Sequence, residues 1–101
     1  MENIMEVNNV EEIFIGDKEI SKYISACFYS LGKEKNILLK ARGNNIKRAI
    51  DVLAILKRDY LENPKYTIEV DSEKYHDKET NRERNVSTVE ISLSGTKKGK
   101  K

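Results

Sequence analysis

The stretch Ile37-Leu38-Leu39-Lys40-Ala41-Arg42-Gly43-Asn44-Asn45-Ile46-Lys47-Arg48-Ala49-Ile50 changes its hydrophobic period halfway, and that change decides the fold. From Asn36 to Arg42 the side chains of Ile37, Leu39 and Ala41 point one way and those of Leu38, Lys40 and Arg42 the other, as in a strand. Gly43 breaks the alternation, and Asn44 and Asn45 are residues suited to capping a helix. Ile46, Ala49, Ile50, Leu53, Leu56 and Tyr60 then recur at helical spacing, and Pro64 ends that helix at the latest.

Upstream, Glu12 to Gly16 read as a short strand in which Ile13, Phe14 and Ile15 form an apolar run. Asp17 is placed to cap a first helix whose buried face is Ile20, Tyr23, Ile24, Cys27, Phe28 and Leu31, with Gly32 as its stop. Downstream, Tyr66, Ile68 and Val70 alternate with polar residues, and so do Val89, Ile91 and Leu93, giving two half-buried strands. Between them, Asp71 to Asn85 hold almost no apolar residue except Tyr75, so this segment should project as a long hairpin arm. The order predicts an α/β fold: a two-layer β-α-β-α-β-β sandwich with a four-stranded mixed sheet, two helices on one face and the arm. The first two strands are joined by a helix and expected parallel through a right-handed crossover.

A chain of 101 residues has room for one domain. It divides into an acidic N-terminal extension over 1–11, the domain proper over 12–95, and a lysine-rich tail over 96–101 expected to be disordered. Hydrophobic residues at 38% and charged residues at 36% are the composition of a globular protein with a heavily charged surface. No apolar run reaches the roughly 18 residues of a membrane span, and the acidic start does not resemble a signal peptide, so a cytoplasmic protein with no membrane partner is expected. The single cysteine, Cys27, cannot form an internal disulfide and reads as a small buried thiol.

The net charge of +2 is more telling when divided along the chain. Lys97, Lys98, Lys100 and Lys101 lie in the tail, and Glu2, Glu6, Glu11 and Glu12 precede the first apolar run, so Ile13 to Thr96 also sum to +2. A binding surface there must come from clustering.

Catalytic groups are scarce. The only histidine, His76, falls in the arm beside Tyr75, Asp77 and Lys78, and reads as solvated. Asp71, Glu73, Asp77 and Glu79 show no metal-ligand spacing, and the lone glycines Gly16 and Gly43 lack the companions of a phosphate loop. The expectation is a protein that is not an enzyme, with no cofactor, no metal and no small-molecule substrate.

The stronger constellation is the strand-to-helix turn itself. Lys40, Arg42, Lys47 and Arg48 offer cations, Asn44 and Asn45 offer amides, and the new helix adds unsatisfied N–H groups suited to phosphate oxygens. Lys18 and Lys22 are expected on the same edge. Outward lysines and arginines are common solvation groups, but here they gather at one turn while the arm carries Lys74, Lys78, Arg82 and Arg84. The arm also has five acids, Asp71, Glu73, Asp77, Glu79 and Glu83, so contact there would rest on single arginines.

These segments resemble the Alba family of archaeal chromatin and RNA-binding proteins. The resemblance is carried by Ile15-Gly16-Asp17-Lys18, by Leu39-Lys40-Ala41-Arg42-Gly43 followed by Ile46 and Ala49-Ile50-Asp51, and by Val86-Ser87-Thr88-Val89-Glu90-Ile91. It implies a homodimer, associated with the chromosome, that holds double-stranded DNA, RNA or both. The lysines after the first strand and the Lys-Ala-Arg-Gly edge would grip backbone, and the arms would bring Arg82 and Arg84 to the minor groove. Tyr60 matches a position where an aromatic residue helps neighbouring dimers meet in a higher assembly. Two departures reduce charge: Asp17 where many relatives have a lysine, and Asn44 where an arginine is frequent. The family's theme of acetylating a lysine there is therefore not carried over. Each lost phosphate contact should flatten the salt dependence by roughly one unit, so binding weaker or more selective than that of highly basic relatives is expected. The competing reading is a protein-interaction subunit of a ribonucleoprotein complex; a nuclease ranks far below for want of an acid, base or metal cluster.

Overall fold

The computed structural model describes residues 9–33 and 36–98. Four strands, β1 (Val10–Phe14), β2 (Asn36–Arg42), β3 (Leu61–Asp77) and β4 (Arg82–Lys97), form one mixed sheet in the order β1-β2-β4-β3. Helix α1 (Ile20–Gly32) joins β1 to β2, which lie parallel. Helix α2 (Ile46–Ile55) leads through one wider π turn over Leu56–Tyr60 into β3. The mixed α/β architecture is the one read from the sequence, and β2 keeps its bounds.

Register explains the core. Ile37, Leu39 and Ala41 lie opposite Leu93, Ile91 and Val89, and directly paired residues share a face. All six are buried, and both helices pack on that face through Tyr23, Ile24, Cys27 and Leu31 of α1 and Ala49, Val52 and Leu53 of α2. Each large aliphatic side chain so buried contributes about 1.5–3 kcal/mol, which fixes the layer. Leu56, at the head of the π turn, continues the buried stripe of α2. Val52 lies on this face, whereas Ile50 and Tyr60, expected there, are exposed. The widened last turn rotates Tyr60 away from the uniform helical period.

Several local expectations are corrected. β1 begins at Val10 and ends at Phe14, ahead of the Glu12–Gly16 reading. Asp17 does not cap α1: Glu19 holds that position in an extended conformation, with no side-chain bond. The buried Tyr23 hydroxyl instead accepts hydrogen bonds from the backbone N–H of Gly16 (2.8 Å) and Lys18 (3.1 Å), tying down the loop. Pro64 lies inside β3 and not merely beyond a helix; β3 is an edge strand and carries an irregularity between Glu62 and Lys65, where a proline removes no ladder bond. The tail is not wholly loose, since Thr96 pairs with Glu62, and Lys98 N–H donates to the Tyr60 carbonyl at 3.0 Å. Residues 99–101, and Glu2 and Glu6 of the N-terminal extension, lie outside the described residues.

The arm is a continuation of the β3–β4 ladder, paired from Asp71↔Thr88 out to Asp77↔Arg82. Its tip is fixed by polar groups alone: Asn81 N–H donates to the Asp77 carbonyl (2.7 Å), Glu79 N–H to Asp77 Oδ1 (3.0 Å), and Asn81 takes φ 58°. It accounts for the elongated extents of 57 × 35 × 17 Å.

Cys27 is fully buried, and that burial pushes its thiol up to about 12 from 9.0. At pH 8 its thiolate population is then roughly a thousandfold below that of an ordinary cysteine. A disulfide reagent at pH 8 should therefore modify the native protein only as fast as the fold opens. Burst labelling of native protein would contradict this packing.

Candidate nucleic-acid interface

Because β1 and β2 are parallel, their C-terminal ends emerge at the same end of the sheet, and each leads there into a turn and a helix. One turn is the loop from Ile15 to Glu19; the other is a single 3-10 turn, Gly43–Asn45. Two bonds lock them together. Ile15 N–H donates to the Lys40 carbonyl at 2.8 Å, and Arg48 Nε donates to the Gly16 carbonyl at 2.7 Å. Gly43 has φ +59°, and a Cβ there would meet nothing within 4 Å, so the backbone conformation alone asks for glycine. The first N–H groups of α2 face this rim and favour an anion.

The rim gathers Lys18, Lys40, Arg42, Asn44, Asn45, Lys47 and Arg48, with Lys22 in the first turn of α1. Asn44 and Asn45 do not cap α2 by side-chain bonds, which corrects the capping expectation and leaves their amides for other partners. Arg48 is partly committed to the loop through Nε. The acids of the rim are the feature sequence reading missed. Lys40 Nζ lies 3.5 Å from Glu12 Oε1 and 3.9 Å from Glu90 Oε2. Arg42 Nη2 is 3.4 Å from Glu73 Oε1, and Lys47 Nζ is 2.9 Å from Asp51 Oδ2. Such surface pairs contribute only about 0–1 kcal/mol each to stability, but they cancel most of the local charge.

The strand pairs arise from register, and Lys47–Asp51 from one turn of α2. Lys40 stands beside Phe14 on β1 and Glu90 on β4, on the sheet face that carries no helix. On that face a shallow cleft is lined by Phe14, Lys40, Arg42, Glu73, Thr88 and Glu90. Phe14, read from the sequence as part of an apolar run, is 69% exposed there, with Lys40 Nζ 5.4 Å from its ring centroid. The alternation of Glu12 and Phe14 against Ile13 and Ile15 was the available signal.

The remaining expected residues lie elsewhere. Arg84 pairs with Tyr75 and Arg82 with Asp77 on the arm, about 13 Å and 20 Å beyond Thr88 at strand rise. Tyr60 sits at the opposite end of the molecule, where its ring packs on Phe28 at 5.3 Å. His76 is exposed opposite Glu83, and among the described residues no three His, Cys, Asp or Glu side chains group to hold a metal. No helix among the described residues is long and apolar enough to cross a membrane.

A family model described as Alba matches residues 11–71. The chain is 38% identical over 85 residues to the DNA/RNA-binding protein Alba of Nanoarchaeum equitans, covering 81% of this chain and 94% of that protein. It is 37% identical over 86 residues to the protein of the same name from Nitrosopumilus maritimus, covering 82% and 88%. Among solved structures, Alba from Thermoplasma volcanium superposes with a TM-score of 0.73 at 32% identity, covering 83% of this chain and 99% of that one.

The Arg48 bond makes a separate prediction. Arg48→Met keeps the packing stem but removes the donor to Gly16, and should cost about 1–2 kcal/mol, read as a lower denaturation midpoint. An unchanged midpoint would show that the two turns are held by other means.

Proposed function

The chain belongs to the Alba family, and on that premise we propose that it works as a dimeric binder of double-stranded nucleic acid, DNA, RNA or both, and not as an enzyme. The observation that carries this reading is the rim: two strand ends, two turns and a helix start brought to one end and bonded to each other. The names of the relatives, DNA/RNA-binding proteins, support the same partner. Cations and amides there meet phosphate oxygens, and the arms extend the contact along the duplex through Arg82 and Arg84.

The ion pairs support weaker or more selective binding than a uniformly basic rim would give. A phosphate approaching Lys40 must displace Glu12 and Glu90, and one approaching Arg42 must displace Glu73. Asp17 adds a further repulsion. A ligand gains most when its phosphates are spaced to replace those acids one for one.

Dimer formation is supported by an uncovered apolar stripe. Tyr66, Ile68 and Val70 of β3 share the helix-side face with the buried Leu93, Ile91 and Val89, yet they are 42%, 42% and 79% exposed. Exposed Ile50 of α2 belongs to the same side of the sheet. A second copy packed on this stripe gives it the cover that the helices provide over β4. Residues 12–95 are proposed as the binding domain, working at the chromosome in the cytoplasm.

Two measurements test the reading. In a mobility-shift assay on duplex DNA and duplex RNA, Lys40→Ala/Arg42→Ala should weaken binding about tenfold and reduce the salt slope by roughly two. Unchanged binding would favour the ribonucleoprotein-subunit alternative. Val70→Glu places a charge on the most exposed residue of the stripe, and should convert the dimer to a monomer by sedimentation, with duplex affinity falling alongside. A Val70→Glu protein that remains a dimer would place the second copy on another face.

A further inference from the structure

Charge is distributed unevenly between the two ends of the molecule. At the rim, Lys18, Lys22, Lys40, Arg42, Lys47 and Arg48 are matched in number by Glu12, Asp17, Glu19, Asp51, Glu73 and Glu90. Among the described residues, the far end, where α1 stops, α2 widens, β3 starts and β4 finishes, carries Lys33, Lys57, Arg58, Lys65, Lys97 and Lys98 against Asp59 and Glu62.

These groups form one surface. Lys97 Nζ sits 4.1 Å over the Phe28 ring, Phe28 packs on Tyr60, and Lys98 N–H donates to the Tyr60 carbonyl. Lys98 Nζ reaches the Arg58 carbonyl at 2.7 Å, and Lys33 Nζ lies 5.0 Å from the ring centroid of Tyr29. A shallow groove lined by Gly32, Asn36, Glu62, Lys65, Thr96 and Lys97 continues the surface onto the sheet. The two helix C-termini that end here carry the equivalent of ~1 negative charge together, which offsets only part of the excess. Lys33 and Lys97 rest on aromatic faces, contacts that leave their positive charge uncancelled.

Building on the nucleic-acid reading above, we infer that this far end is a second docking surface for a phosphodiester backbone, with Lys33, Lys97 and Lys98 as its principal cations, Lys33 resting on the Tyr29 ring and Lys97 on the Phe28 ring that packs against Tyr60. It assigns Tyr60 a different task from the meeting of neighbouring dimers. Two such ends brought face to face would oppose six cations to six, whereas a polyanion meets a surface of complementary sign.

The test compares three proteins on matched DNA and RNA duplexes over a salt series: the wild type, the rim variant Lys40→Ala/Arg42→Ala, and Lys33→Gln/Lys97→Gln/Lys98→Gln. The glutamine triple variant should bind about tenfold more weakly, with a salt slope flatter by two to three. Lys33→Arg/Lys97→Arg/Lys98→Arg, which keeps the charge, should restore both, and this separates loss of charge from loss of fold. Binding by the glutamine variant that equals wild type in affinity and slope, while the rim variant is impaired, would overturn the second surface and leave the rim intact. Glutamine and arginine variants impaired alike would also overturn it, because the lysines would then be structural. A wild type that shows no salt-dependent binding to either duplex would remove this proposal and the functional reading together.

Discussion

The structure depends on one pairing, the ladder that sets Ile37, Leu39 and Ala41 against Leu93, Ile91 and Val89. It joins the centre of the sheet and supplies the floor on which both helices pack. Side chains alternate across a strand, so a slip of one residue would drive Lys40 and Arg42 into the core and expose Ile37 and Leu39. The cost of burying those charges locks the register. The position of every polar group on the open face follows from it, including the acids beside Lys40 and Arg42.

That arrangement gives the rim an unusual character. Cations are present in the pattern expected of a phosphate grip, yet each strand cation arrives with a carboxylate partner from another strand of the sheet. Among the described residues, the excess of cations thus lies not at the rim but at the end where α1 and α2 finish. On the proposed reading, electrostatic attraction at long range would reach that end first, and the rim would act at short range, where replacing an acid by a phosphate depends on spacing.

Much of the fold was legible because its signals are periodic. The alternation in Asn36–Arg42 and in Val89–Leu93, and the helical spacing from Tyr23 to Leu31, each report burial on one side, and tertiary packing agrees with them. At the first turn capping was misread because Asp17 has the right chemistry, but loop N–H groups there are taken by the Tyr23 hydroxyl, a contact between residues five and seven apart that no local rule reports. The lysine-rich composition of the tail concealed that its first residues complete a ladder with Leu61 and Glu62. Of the candidate site, the cations and the turn were readable. The acidic partners of Lys40 and Arg42 come from β1, β3 and β4, so they are visible only once register is known. Tyr66, Ile68 and Val70 alternate as a half-buried strand should, but the helices stop short of them.

The arm is a two-stranded ribbon with no layer behind it. From Asp71 to Arg84 its shape rests on ladder bonds and a polar tip, and every side chain but that of Asp77 is exposed. A ribbon of this kind resists stretching, because the hydrogen bonds run across it, but yields to twisting and bending, because no packed core opposes them. Its curvature is therefore set by whatever it lies against. One sequence can then follow grooves of different width and depth, as a flexible gauge takes the outline of the object it is pressed on.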